Sequence, residues 1–119
     1  MNAPTSKNIG DAAEDLACEY LQARGLQLIK RNYRLRSGEI DLVFRDHEYL
    51  VFVEVRYRQS QQFGGALYSI DQRKQQKIIQ TARHYLQRYQ VTLPVRFDVV
   101  AISGPDDIQW LQHAFEASD

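Results

Sequence analysis

The stretch from Glu39 to Tyr57 constrains this chain more than any other. It reads Glu-Ile-Asp-Leu-Val-Phe-Arg to Arg45 and Tyr-Leu-Val-Phe-Val-Glu-Val-Arg-Tyr from Tyr49, both strand-like, the second a long β-branched and aromatic run. The polar Asp46, His47 and Glu48 between the runs form a short turn, so the two should pair as a hairpin. If Asp46 pairs with Tyr49, counting back sets Asp41 opposite Glu54. Glu54 and Arg56 are two apart and leave the same face of their strand. Two carboxylates facing each other across strands repel. The pair therefore calls for a cation between them, either a divalent metal or Arg56.

The rest of the chain supplies elements around that hairpin. Residues 9–24 predict an amphipathic helix, with Ala13, Leu16, Ala17, Tyr20 and Leu21 at i, i+3, i+4, i+7 and i+8. Asn8 is placed to cap its start and Gly25 to stop it. Glu14 falls beside the apolar stripe, whereas Asp15 and Glu19 point to water. Leu26 to Arg36 predicts another strand, alternating through Tyr33 and Leu35. Gln59 to Gly65 is polar and reads as a loop. Its Gly64-Gly65 pair is not a phosphate loop, because no Gly-Lys-Ser/Thr ending follows.

A second helix is expected from Asp71 to Tyr89, burying Ile78, Ile79, Ala82, Tyr85, Leu86 and Tyr89. Lys74, Lys77, His84 and Arg88 run along its flank. Pro94 opens a strand, Val95 to Ile102, and Gly104 to Asp107 makes a turn. The last segment, Ile108 to Phe115, suits a terminal helical turn packed by Trp110, Leu111, Ala114 and Phe115. The order is α-β-β-β-α-β plus a short C-terminal segment, an α/β class with a mixed sheet flanked by helices. At 119 residues one domain, 1–119, is expected, with its core at about 9–115.

Charge bears on the partner. The 15 basic and 15 acidic residues cancel, which at first argues against a nucleic-acid-binding domain. The cancellation is between regions. Segments 24–36 and 56–96 hold 13 of the 15 basic residues and one acid, Asp71, a net +12, and the remainder carries −12. No apolar run is long enough for a membrane span. Met1 to Asn8 lacks the apolar stretch of a signal peptide. Cys18 alone cannot form an internal disulfide and reads as a small, partly buried helix residue. His47, His84 and His113 are too scattered for a zinc cluster. A cytoplasmic protein is expected.

Two chemical readings of the hairpin stay open. In one, Asp41 and Glu54 hold a hard cation such as Mg²⁺, and Glu14 adds a direct or water-mediated ligand. Such an ion polarises a phosphodiester and activates an attacking water, and Arg56 would contact the phosphate. In the other, Glu39, Asp41, Glu54 and Arg56 form exposed ion pairs on a solvated face, which spacing alone favours. Arg31, Arg34 and Arg36, followed by Arg58, Lys74 and Lys77, are candidates for phosphate contacts. Tyr33, Tyr57 and Phe63 could stack on bases, although Tyr33 and Tyr57 fit the core edge better.

A resemblance adds to these readings. Gly10-x-x-x-Glu14-x-x-Ala17-x-x-Tyr20-Leu21, Arg31-Asn32, Gly38-Glu39-Ile40-Asp41-Leu42, the run from Val51 to Arg58, Phe63-Gly64 and Arg96-Phe97-Asp98-Val99 resemble the YraN-like uncharacterised bacterial proteins. The likeness extends from Gly10 to Phe115. That family in turn resembles the restriction-endonuclease-like nucleases of the PD-(D/E)xK type and the archaeal Holliday-junction resolvases. The resemblance implies a restriction-endonuclease-like fold, a DNA partner, a Mg²⁺ or Mn²⁺ cofactor and a possible homodimer. It matches Glu14 to the first-helix acid, Asp41 to the motif aspartate and Glu54 to the acid of the (D/E)xK pair.

Arg56 stands where the pattern has lysine, and arginine cannot readily give up its proton. Lys74 or Lys77 could bring a lysine from the second helix. The expected function is a metal-dependent endonuclease-like protein that hydrolyses phosphodiester bonds in DNA, branched DNA among its candidate substrates. One alternative is a catalytically inactive nucleic-acid-binding module of the same fold. Another is a protein-interaction domain that docks partners on the acidic tail, Asp106 to Asp119.

Overall fold

The computed structural model describes residues 6–58 and 70–117, with side chains from Ile9 onward. The expected loop at Gln59 to Gly65, Phe63 included, lies outside the described residues. The elements run α1 (Ser6–Ala23), β1 (Gln27–Leu35), β2 (Gly38–Asp46), β3 (Tyr49–Tyr57), α2 (Gln72–Arg88), β4 (Val95–Gly104) and β5 (Asp107–Phe115). The strands form one sheet in the order β1-β2-β3-β4-β5. Neighbours are antiparallel except β3 and β4, which are parallel. A parallel pair needs a long crossover, and the connection containing α2 provides it. This is the mixed α/β arrangement expected of a restriction-endonuclease-like chain.

The helices cover opposite faces of the sheet. Ala13, Ala17 and Leu21 of α1 pack with Leu42, Phe44, Val51, Val53 and Val100. Ile78, Ile79, Ala82 and Tyr85 of α2 pack with Val43, Phe52, Phe97 and Val99. Strands buried on both faces read as continuous apolar runs, and Leu50 to Val53 is such a run, at 4% exposure or less throughout. Among the described residues, no helix is long and apolar enough to cross a membrane.

Local signals set most of the helix ends. Gly25 adopts φ +94, and the Leu26 N–H donates to the Leu21 carbonyl at 3.1 Å, closing α1 with a left-handed cap. The start differs from expectation: α1 begins at Ser6, so Asn8 lies inside it rather than capping it. Asp71 caps α2 by accepting the Lys74 N–H at 2.8 Å. Tyr89 was expected in the buried face but is 45% exposed. It follows the last helical residue as C-cap, and its ring rests on Tyr85 with centroids 4.6 Å apart.

The terminal segment is a strand, not a helical turn. After the Gly104 hairpin, β5 returns along the open edge of β4 and pairs its backbone there, with Ile102 opposite Ile108 and Val100 opposite Trp110. Ile108 and Trp110 then alternate onto the α1 side, where they pack against the core. A register shift between Phe97 and Val99, with His113 at φ +53, moves Ala114 and Phe115 onto the α2 side. That irregularity spaces the apolar residues as a helix would.

Asp98, fully buried, anchors the hairpin. It accepts the Trp110 Nε1–H at 2.9 Å and the His113 N–H at 3.1 Å. It also accepts two bonds from Arg96, one from Nε and one from a terminal nitrogen, each at 3.0 Å. The same Arg96 nitrogen reaches Asp46 at 2.9 Å, tying β4 to the β2–β3 turn.

One glycine sets how closely α2 approaches the sheet. A Cβ on Gly38 would lie 2.7 Å from Thr81 Oγ1 and 3.2 Å from the Lys77 carbonyl oxygen. Any other residue there would lift the helix off the start of β2.

Candidate active site

The site begins with a break in strand alternation. Arg31 pairs with Leu42 and Tyr33 with Ile40, positions two apart that should share a face. They do not. Leu42 packs on the α1 side, while Tyr33 and Ile40 pack on the α2 side. Between the two pairs lie Asn32, at φ +56, and Asp41. The left-handed residue swivels β1, and Asp41 leaves the regular face-to-face pattern. The β2–β3 ladder reaches Leu42 opposite Val53, and one step beyond it the Asp41 carboxylate accepts the Val55 N–H at 2.9 Å.

The regular ladder ends at the Leu42–Val53 pair; Glu54 is the next residue on β3, and it lines the same hollow as Asp41, near it as counting predicts. It shares the α2 face with Leu50 and Phe52. Its side chain is 8% exposed, and its Oε1 lies 2.8 Å from Lys74 Nζ. Burial first, and then the charge of Glu54, push the pKa of Asp41 up to about 8, against the opposing Val55 hydrogen bond. This is a desolvated carboxylate pair with a lysine on one member, rather than a solvated face of ion pairs.

Glu14 of α1 approaches the same point, with a side chain 13% exposed. Burial raises its pKa, opposed by a hydrogen bond from Asn32 and by the charge of Arg31. Its Oε1 is sealed from solvent with no hydrogen-bond partner among the described residues. Arg31 stands 3.6 Å from that oxygen but is 2.8 Å from Asp15. Glu39, 3.4 Å from Arg34 Nε, completes the group. Glu14, Glu39 and Asp41 each offer a carboxylate oxygen, all within 4.8 Å of one another.

A hollow of about 560 Å³ opens over Glu39, Asp41 and Glu54, with Asp71, Lys74 and Lys77 of the α2 region on its rim. The donors are carboxylate oxygens with no His or Cys among them, the set that hard divalent cations take. The unpartnered Glu14 oxygen fits the same kind of ion.

The candidate residues divide. Asp41, Glu54, Lys74 and Lys77 line the hollow, and Glu14 meets Asp41 and Glu39 without being among its lining residues. Arg56 lies on the same strand face as Glu54 but is not among the described residues lining the hollow. Burial, and after it the charge of Arg58, lower its pKa. Arg31 and Arg34 are engaged with acids, and Arg58 donates to the Tyr57 carbonyl at 3.0 Å. Arg36 is exposed at the end of the β1–β2 hairpin. Sequence reasoning treated Glu39 only as part of a solvated face, although its spacing of two from Asp41 was visible. It assigned no role to Asn32, and Asn is one of the few residues at home at positive φ.

Comparisons with known proteins agree among themselves. A profile described as uncharacterised protein family UPF0102 matches residues 13–102. A UPF0102 protein of Nitrosococcus oceani is 52% identical over 120 residues, covering 97% of each chain. One from Methylibium petroleiphilum is 51% identical over 121 residues, 96% of this chain and 98% of its own. One from Legionella pneumophila is 50% identical over 111 residues, 91% and 94%.

Proposed function

The chain belongs to the uncharacterised protein family UPF0102, the YraN-like family its motifs resemble, and from its carboxylate hollow we propose a Mg²⁺- or Mn²⁺-dependent endonuclease that acts on DNA. The observation that carries the reading is Lys74 Nζ, 2.8 Å from Glu54 and on the rim of the hollow that holds Asp41. Position 56 holds arginine where the nuclease pattern has lysine, and α2 brings a lysine to the carboxylates instead. Glu14, Glu39 and Asp41 hold the cation, and Glu54 adds a carboxylate from beside Asp41. When bound, the ion supplies positive charge that polarises the phosphodiester and acidifies an attacking water.

The chain's own groups do the rest. Lys74 lies close enough to Glu54 to share a phosphate oxygen or a water with it, the part otherwise expected of Arg56. Lys77 on the rim of the hollow and the exposed Arg36 at the end of the β1–β2 hairpin neutralise backbone phosphates. Asp41 gives up its proton to accommodate the ion. The test is cleavage of single-stranded, duplex and branched DNAs with Mn²⁺ or Mg²⁺. Cleavage that disappears in the Asp41→Ala, Glu54→Ala double variant supports the assignment, and cleavage that survives it overturns the site. Salt-sensitive binding with no cleavage in any metal replaces the enzyme with a nucleic-acid-binding module.

A further inference from the structure

The feature that the carboxylates leave unexplained is Asn32. It lies opposite Asp41, between the pairs Arg31–Leu42 and Tyr33–Ile40, and holds φ +56 in the middle of a strand. Its side chain hydrogen-bonds Glu14. An ionised carboxylate only accepts, so the amide NH₂ must face Glu14 and the amide oxygen must face elsewhere. That oxygen is sealed from solvent and has no hydrogen-bond partner among the described residues, like Oε1 of Glu14. While Glu14 is ionised both oxygens are acceptors, and neither can satisfy the other. Native interiors seldom leave such oxygens unpaired. The nearest cationic group to Glu14 Oε1, Arg31, sits 3.6 Å from it and is drawn to Asp15.

We propose that Asn32 belongs to the cation centre: its amide N–H orients Glu14, and its amide oxygen takes a place in the shell of the cation held by Glu14, Glu39 and Asp41, directly or through a water. The inference rests on the metal reading above. Amide oxygens are ordinary partners of hard cations beside carboxylates. Groups that orient a ligand from behind typically change metal affinity by about 10–100-fold when removed. The left-handed backbone has a place in this account. It breaks the alternation of β1 beside Asp41 and lets a residue opposite Asp41 reach Glu14 on α1.

The experiment is calorimetric titration of Mn²⁺ alone into the wild-type chain, Asn32→Gly, Asn32→Asp and Asp41→Ala. Glycine accepts positive φ, so Asn32→Gly removes the amide and keeps the strand geometry, which a thermal melt checks. Mn²⁺ affinity should fall about 10–100-fold in Asn32→Gly. It should fall less in Asn32→Asp, which keeps an oxygen on the same backbone but lacks the N–H that orients Glu14. Wild-type affinity in Asn32→Gly, together with loss in Asp41→Ala, overturns the role of Asn32 and leaves the metal reading standing. A loss in Asn32→Asp as large as in Asp41→Ala also overturns the place given to the oxygen, and this arm decides the matter should the glycine variant fail to fold. No Mn²⁺ binding by the wild-type chain overturns both readings.

Discussion

Replacing Asp41 by asparagine should stabilise the metal-free protein, and the gain should depend on pH. Asp41 titrates at about 8 in the fold, against 3.8 as an ordinary aspartate, because it is buried beside Glu54. Between those values the folded state keeps a proton that the unfolded chain has lost. Stability therefore falls as pH rises through this window, and the full penalty is present above pH 8. At about 1.4 kcal/mol per pH unit, the ceiling is about 6 kcal/mol.

Neighbouring carboxylates and water relax around the charge, so a realistic gain is about 2–3 kcal/mol at pH 9. The amide introduced by Asp41→Asn keeps an oxygen to accept the Val55 N–H and turns a donor towards Glu54, while removing the charge. Thermal unfolding in EDTA at pH 4, 6.5 and 9 reads the effect. The variant should melt about 6–12 °C above wild type at pH 9, with the difference closing towards pH 4. A gap of constant size across that range, or a variant less stable at pH 9, would refute the account of Asp41 as a desolvated carboxylate.

Three further outcomes follow from the packing and the site. Asp98→Ala should lower stability by about 3–5 kcal/mol in urea unfolding, because the buried Arg96 guanidinium keeps only Asp46 and the Trp110 and His113 N–H groups lose their acceptor; a loss under about 1 kcal/mol would contradict the anchoring of β5. Gly38→Ala should cost about 1–3 kcal/mol through the clash with Thr81, and adding Thr81→Ala should recover part of it; no recovery would place the strain elsewhere. Lys74→Ala should slow DNA cleavage in single-turnover assays by about 100-fold or more, while Arg56→Ala has the smaller effect. The reverse order would return the phosphate contact to Arg56.

Much of the fold was legible because its signals are local. A two-residue turn, His47 and Glu48, between two strand-forming runs sets the register of β2 and β3 with Asp46 paired to Tyr49, and counting from that pair brings Asp41 level with Glu54. The stripe from Ala13 to Leu21 and the stop at Gly25 depend on helical periodicity and on one residue's tolerance of positive φ. The sheet-facing side of α2 was readable except at Tyr89, where the helix end frees the ring. What failed was the last segment. Its apolar spacing mimics a helix because a register shift interrupts a strand, and an open edge on β4 wins over local pattern.

Alternation and turn length were enough to give the mixed α/β class, the hairpin and the meeting of two carboxylates within it. Which residues surround that pair depends on the packing of the elements. Gly38 lets α2 settle against β2, and that brings Lys74, twenty residues along the chain from Glu54, to 2.8 Å from it. The left-handed Asn32 breaks the alternation beside Asp41, where Glu14 of α1 and Glu39 of β2 converge. Arg56, adjacent by spacing, is left outside the hollow. Periodicity specifies the face a residue takes on its own element; the neighbour it finds there depends on how closely the elements pack.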